Sequence, residues 1–82
     1  MDKQIYEIIK ATWTFLKIYI QNRQNNASDE YWDAVTDSIN AIYDGTEGQQ
    51  EYVRQFALDL ALAGDRLLTA MRKEDRKKEG AA

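Results

Sequence analysis

Three amphipathic stretches, separated by short polar segments in a chain without proline, are the feature that most constrains the fold of this 82-residue protein. Proline and glycine most often interrupt regular structure, and only Gly45, Gly48, Gly64 and Gly80 are available to do so. In each stretch the apolar residues recur every three or four positions, which is the period of an α-helix. We therefore predict an all-α protein of three helices.

The first stretch predicts a helix from about residue 2 to residue 22. Its apolar residues fill one half of a helical wheel, while lysines and other polar residues fill the other half. The apolar half comprises Ile5, Ile8, Ile9, Thr12, Trp13, Phe15, Leu16, Tyr19 and Ile20, with Tyr6 at its edge. The polar run of residues 22–26 then ends the helix.

The second stretch carries clear signals at both ends. Ser28 offers a hydroxyl as an N-cap, and the carboxylates of Asp29 and Glu30 follow in the first turn, where the helix dipole favours negative charge. Gly45 is predicted to stop the helix in a positive-φ conformation. The apolar residues share a narrower arc: Tyr31, Trp32, Val35, Ile39, Ile42 and Tyr43.

The third stretch is the longest. Thr46 and Gln49 have the spacing of a capping box, which predicts a helix start at about Glu47. The predicted apolar stripe is Tyr52, Val53, Phe56, Leu60, Ala63, Leu67 and Met71. Beside it runs an edge of small residues, Ala57, Ala61 and Gly64, for which close helix packing is the favoured interpretation. The charged residues 72–78 are predicted to continue as an exposed helix that frays.

Short connections between long helices favour antiparallel neighbours, so we predict an antiparallel three-helix bundle with a long third helix. Residues 1–78 form the single predicted domain, and residues 79–82 a disordered tail. No apolar run approaches the length of a membrane span, and the first residues lack the pattern of a signal peptide. We therefore expect a cytoplasmic protein with no membrane partner.

Catalysis is not expected from this composition. The chain has neither histidine nor cysteine, which removes the usual general base at neutral pH and the thiolate nucleophile. No glycine-rich phosphate loop is present. The interpretation is a non-enzymatic protein with no cofactor and no metal. Direct binding to nucleic acid is also not expected, because Glu74, Asp75 and Glu79 dilute the basic charge of the last stretch.

Charge is concentrated in the middle of the chain, where residues 29–59 carry a net −7. On one side of the second helix lie the carboxylates Asp29, Glu30, Asp33, Asp37 and Asp44, beside Asn40. Three interpretations stay open: a solvated face, a binding surface for a basic partner, including mimicry of a nucleic-acid phosphate row, and a metal site. The metal site is the weakest, because ligands on a regular helix face converge poorly.

Two leucines fall outside the predicted stripe of the third helix. Leu58 and Leu62, one turn apart, lie on the face that holds Glu51 and Gln55. Exposed leucines are ordinary on protein surfaces, so one interpretation gives them no role. The other is a homodimer or partner interface, to which Ile18 of the first helix contributes.

Residues 28–33, Ser-Asp-Glu-Tyr-Trp-Asp, follow an aromatic-rich first helix and precede a long third helix that ends in charge. This layout, over most of the chain, resembles small uncharacterised helical proteins encoded on prophages and other mobile elements of Gram-positive gut bacteria. The resemblance implies a setting in which small acidic inhibitors of host defence nucleases, such as anti-CRISPR proteins, are common. It assigns no role to any residue.

The leading hypothesis is therefore a non-enzymatic, acidic protein-binding module. The resemblance adds the expectation of a mobile-element inhibitor directed at a basic, nucleic-acid-binding host defence protein. The alternative is a structural homo-oligomer assembled through helix 3, with Leu58 and Leu62 at the contact.

Overall fold

The computed structural model describes the backbone of residues 2–81 and the side chains of residues 2–78. Within that range every regular element is helical: α1 spans Lys3–Gln21, α2 spans Asp29–Asp44 and α3 spans Glu51–Ala81. A 3-10 turn over Arg23–Asn25 follows α1. The predicted all-α fold with three helices is confirmed.

The first two helices begin where side-chain caps are available. The Asp2 carboxylate accepts hydrogen bonds from the backbone N–H groups of Gln4 and Ile5, at 2.8 and 3.4 Å. The Ser28 hydroxyl accepts one from the N–H of Glu30, at 3.2 Å. These caps satisfy backbone donors that the first turn of a helix leaves without partners. The predicted N-cap of α2 is confirmed.

The connection between α2 and α3 differs from the prediction. The Thr46 hydroxyl donates backward to the Tyr43 carbonyl at 2.6 Å instead of capping α3, which begins at Glu51 rather than about Glu47. Gly45 has φ −63°, and the positive φ falls at Gly48, at 83°. Because Thr46 is buried and tied to the end of α2, residues 46–49 form turns that a capping box would have made helical.

The contacts between α1 and α3 show the relative direction of the two helices. Early residues of α1 contact early residues of α3, and later residues of α1 contact later residues of α3. Ile8 lies in one apolar cluster with Val53 and Ala57. A Cβ placed on Gly64 would lie 3.1 Å from a Phe15 ring carbon. α1 and α3 therefore run in the same direction, and α3 also packs against α2 along its length.

The predicted apolar stripe of α3 is wrong in phase. The residues of α3 that are fully buried are Val53, Ala57, Ala61, Gly64 and Leu68. Tyr52 and Leu67, placed in the core from sequence, are 63% and 45% exposed. The reason is that α3 lies against both other helices, and its line of small side chains lets both approach closely. A helical wheel weighted by hydrophobicity instead predicts that the large apolar side chains beside this line, such as Tyr52 and Leu67, face the core.

Aromatic side chains join α1 to α2. The rings of Tyr19 and Tyr31 meet edge to face with centroids 5.3 Å apart, and Trp32 continues the series at 5.1 Å from Tyr31. Buried polar atoms of these rings find partners: the Tyr31 hydroxyl donates to the Tyr19 carbonyl, and the Trp32 indole donates to the Asn26 carbonyl, both at 2.8 Å. Burial raises the pKa of Tyr31. Tyr31 is buried, and Tyr19 and Trp32 are half-buried against the same cluster, on the apolar arcs predicted for them.

The far end of α3 is anchored to the α1–α2 connection. Asp75 accepts two hydrogen bonds from the Arg23 guanidinium, at 2.6 and 3.1 Å, and one from the Asn26 amide at 2.9 Å. We name these three residues the terminal clamp. Residues 72–78 are thus not wholly exposed, and α3 continues to Ala81, beyond the predicted domain boundary at residue 78. Ala82, the last residue of the predicted tail, lies outside the described residues.

Acid is expected to open the terminal clamp. The hydrogen bonds from Arg23 hold the pKa of Asp75 below its ordinary value. A lowered folded pKa means that the clamp stabilises the protein fully above the unfolded pKa, about 3.9, and is lost as the pH falls through the folded value. We expect amide exchange of residues 72–78, corrected for intrinsic rates, to accelerate below pH about 4. Asp75→Asn should show weak protection already at neutral pH; equal protection in both proteins would contradict the clamp.

Candidate protein-binding surfaces

The five carboxylates predicted on α2 form one exposed surface, which we name the acidic face: Asp29, Glu30, Asp33, Asp37 and Asp44. The buried side of α2 determines which way the acidic face points. Tyr31, Val35 and Ile39 are buried at four-residue spacing, so residues about half a turn away must point to solvent. Sequence and structure agree on the exposure of this face.

The acidic face lacks internal neutralisation. α2 contains five carboxylates and no lysine or arginine, a formal charge of −5. In the described part of the chain the recorded ion pair is Arg23 with Asp75, outside α2. At 1.5 Å per residue the helix holds one charge per roughly 5 Å, near the one per 3.4 Å of a single nucleic-acid strand. The field of this face therefore favours a cationic partner.

A metal site does not assemble on this face. The carboxylates are spread over about 22 Å of helix, and residues 2–78 contain no group of three acidic side chains placed to hold an ion. The side chains point outward along a rod instead of converging. The metal interpretation of Asp29, Asp33 and Asp37 has no geometric support.

The two leucines predicted for self-association lie one turn apart on α3. Leu58 is half-buried, whereas Leu62 is 37% exposed. Ile18, expected to contribute from α1, is 46% exposed. A self-association contact through these three residues stays a prediction.

A larger apolar surface was not predicted from the sequence. Tyr6, Ile9 and Trp13 of α1 are 52%, 41% and 58% exposed, and Tyr52 and Leu67 of α3 are 63% and 45% exposed. We name these five residues the α1–α3 face. All were assigned to the buried arcs of their helices or to the arc's edge. One sequence feature could have indicated this surface. The apolar arc of α1 covers half of a helical wheel, which is wider than the part that two neighbouring helices bury.

Two arginines of α3, Arg54 near its start and Arg72 in its second half, lie over aromatic rings of α2. The Arg72 guanidinium lies 5.7 Å from the centroid of the Trp32 ring, and Arg54 lies 4.5 Å from that of Tyr43. Cations held on aromatic faces gain from the ring quadrupole and cover the ring from water. These arginines therefore strengthen the α2–α3 contact.

A cavity of about 330 Å³ opens at one end of the molecule, between α1, α2 and the α2–α3 connection. Its floor is apolar and includes Ile8, Ala11 and Ile42, while Lys3 and Glu7 stand at the rim. The volume is at the lower end of the range of small-molecule sites. Gln4, Thr46 and Gln49 supply further polar lining, and the buried Gln49 Oε1 atom has no hydrogen-bond partner among the described residues.

Within residues 2–81, no helix has both the length and the hydropathy to cross a lipid bilayer. Comparison with protein-family models, with curated proteins and with solved structures found no match to this chain. The resemblance to small mobile-element proteins therefore stays a prediction.

Proposed function

We propose that the protein is a non-enzymatic protein-binding module that holds a basic partner on the acidic face. The observation that carries the proposal is the exposure of all five carboxylates on a helix with no cation. We further propose that the three helices form the predicted antiparallel bundle, which acts as a rigid support for that face.

The arrangement of α2 supports this function. Like charges at four-residue spacing disfavour an isolated helix by a few tenths of a kcal/mol per pair, and Asp29, Asp33 and Asp37 form two such pairs. Packing of Tyr31, Val35 and Ile39 holds the helix together against that repulsion. A cationic surface laid on the face would relieve the repulsion, so part of the binding free energy is already stored in the free protein.

The partner class proposed is a nucleic-acid-binding protein. Its basic groove is shaped for a row of phosphates, and the carboxylates of α2 present a row of similar charge density along about 22 Å. Occupying the groove would exclude the nucleic acid, which is inhibition by occlusion. In the mobile-element setting the target would be a host defence protein.

Charge reversal on the acidic face tests the proposal. The protein is measured against a panel of purified DNA- and RNA-binding proteins, with and without their nucleic acid. We expect Asp33→Lys with Asp37→Lys to abolish binding at unchanged helicity, and nucleic acid to compete with the unmodified protein. Binding should also weaken steeply with added salt, because the contact is made by exposed charges.

The matched control makes the same charge change elsewhere. Glu7 and Asp59 are exposed carboxylates outside α2, so Glu7→Lys with Asp59→Lys alters net charge equally and should bind normally. If both double variants lost binding equally, the loss would be explained by the change in net charge and not by the acidic face. Undiminished binding by the α2 variant would remove the acidic face from the mechanism.

A further inference from the structure

We infer that the α1–α3 face is covered by a second copy of this chain, giving a symmetric dimer in which both acidic faces point outward. This surface is distinct from the acidic face and does not depend on the proposed function.

The members of the α1–α3 face lie on one side of the molecule. At 100° per residue, Tyr6, Ile9 and Trp13 fall within an arc of about 60° on α1. On α3, Tyr52 and Leu67 flank the half-buried Phe56 and Leu60. Phe56 and Leu60 pack on the cluster that holds Ile8 of α1, so this flank of α3 lies on the α1 side.

α2 leaves the face uncovered. The edge of α3 turned toward α2 is marked by Arg54 and Arg72, which lie over the α2 rings Tyr43 and Trp32. Tyr52 and Leu67 lie about 140° or more around the helix from that edge. The acidic face and the α1–α3 face are therefore on different sides of the protein.

The area is sufficient for a specific dimer. Three aromatic side chains that are each more than half exposed, with one isoleucine and one leucine, present about 500 Å² per copy. When fully covered, two such faces together bury about 1,000 Å² before the rim is counted, which is the threshold for a biological interface and below the roughly 1,200–2,000 Å² of stable complexes, so the dimer is a weak one. Tyrosine and tryptophan, the residues most enriched at the energetic centres of interfaces, supply most of it.

The shape and the position of the face suit an identical partner. Two helices side by side make a broad surface, and the cavity between α1 and α2 lies elsewhere. The rim carries Lys10 and Lys17 on α1 with Asp59 and Arg66 on α3, a net charge of +2 per copy. Added salt screens the repulsion between two such rims, and pairing through this face keeps the two acidic faces apart.

The test is solution mass by sedimentation equilibrium, from micromolar to millimolar concentration, in low and high salt. We expect a monomer–dimer equilibrium that added salt does not weaken, because the contact is apolar. Trp13→Glu and, separately, Leu67→Glu should weaken dimerisation by at least about tenfold. Both residues are half exposed, so circular dichroism should show unchanged helicity; Trp13→Ser provides a second, milder change at the same position.

Two exposed apolar residues outside the face are matched controls. Ile18→Glu and Leu62→Glu make the same substitution at 46% and 37% exposed positions of the same helices, and both variants should still dimerise. The inference is overturned if the unmodified chain stays monomeric throughout, or if Leu62→Glu dissociates the dimer as fully as Trp13→Glu. It is also overturned if the chain stays monomeric and binds phosphatidylserine vesicles through Trp13. Asp33→Lys with Asp37→Lys should leave the dimer intact, which separates this result from the fate of the proposed function.

Discussion

Replacing Gly64 with leucine is expected to lower the free energy of unfolding by about 1–3 kcal/mol. A Cβ alone at this position would lie 3.1 Å from a ring carbon of Phe15 and 3.2 Å from a methyl carbon of Leu16. The further three carbons of leucine add to this crowding, so the Phe15 and Leu16 side chains of α1 must shift to admit them. A domain of this size is stabilised by only about 4–12 kcal/mol in total.

Urea unfolding followed by circular dichroism measures this effect. Thr69→Leu is the matched control, because it adds the same side chain to the same helix at an exposed position. That variant should change stability by less than about 0.5 kcal/mol. A Gly64→Leu protein with unchanged stability would show that α1 does not approach α3 as closely as described.

Leu68→Ala is expected to lower the free energy of unfolding by about 2–5 kcal/mol. Leu68 is 2% exposed and lies in the cluster of Phe15, Tyr31 and Val35. Truncation removes apolar area and leaves a cavity that the surrounding rings can only partly fill.

The neighbouring position supplies the comparison. Leu67→Ala removes the same atoms from a side chain that is 45% exposed, so in dilute, monomeric protein its effect should be far smaller. The two variants together determine the phase of α3. If Leu67→Ala proves the more destabilising, the core contains the stripe expected from sequence and the described phase is wrong.

What could be predicted from sequence was local. The start of α2 depends on Ser28 and the two carboxylates after it, and its end on the residues immediately before Gly45. The start of α3 was missed because the Thr46 hydroxyl has two possible partners within reach. It donates to the Tyr43 carbonyl, and the burial that favours this choice is a property of the assembled protein.

The same distinction between local pattern and assembled structure explains why one surface could be predicted from the sequence and the other could not. The acidic face follows from the phase of α2 alone, since Tyr31, Val35 and Ile39 already define its inner side. The α1–α3 face depends on which part of a wide apolar arc the neighbours cover, and the sequence of α1 does not contain that information. The terminal clamp joins residues 52 positions apart, Arg23 and Asp75, among many other exposed charges. No local pattern distinguishes that pair.

The central place of α3 affects when the protein can fold during synthesis. α3 is made after α1 and α2, yet it packs against both of them more extensively than they pack against each other. While the ribosome is still adding residues, Phe15 and Tyr31 have emerged without the helix that completes their burial. Helical domains fold as cooperative units, so the nascent chain stays open to proteases and chaperones until α3 clears the exit tunnel. The interval of vulnerability therefore lasts until α3 has left the ribosome, and slow codons within α3 would lengthen it.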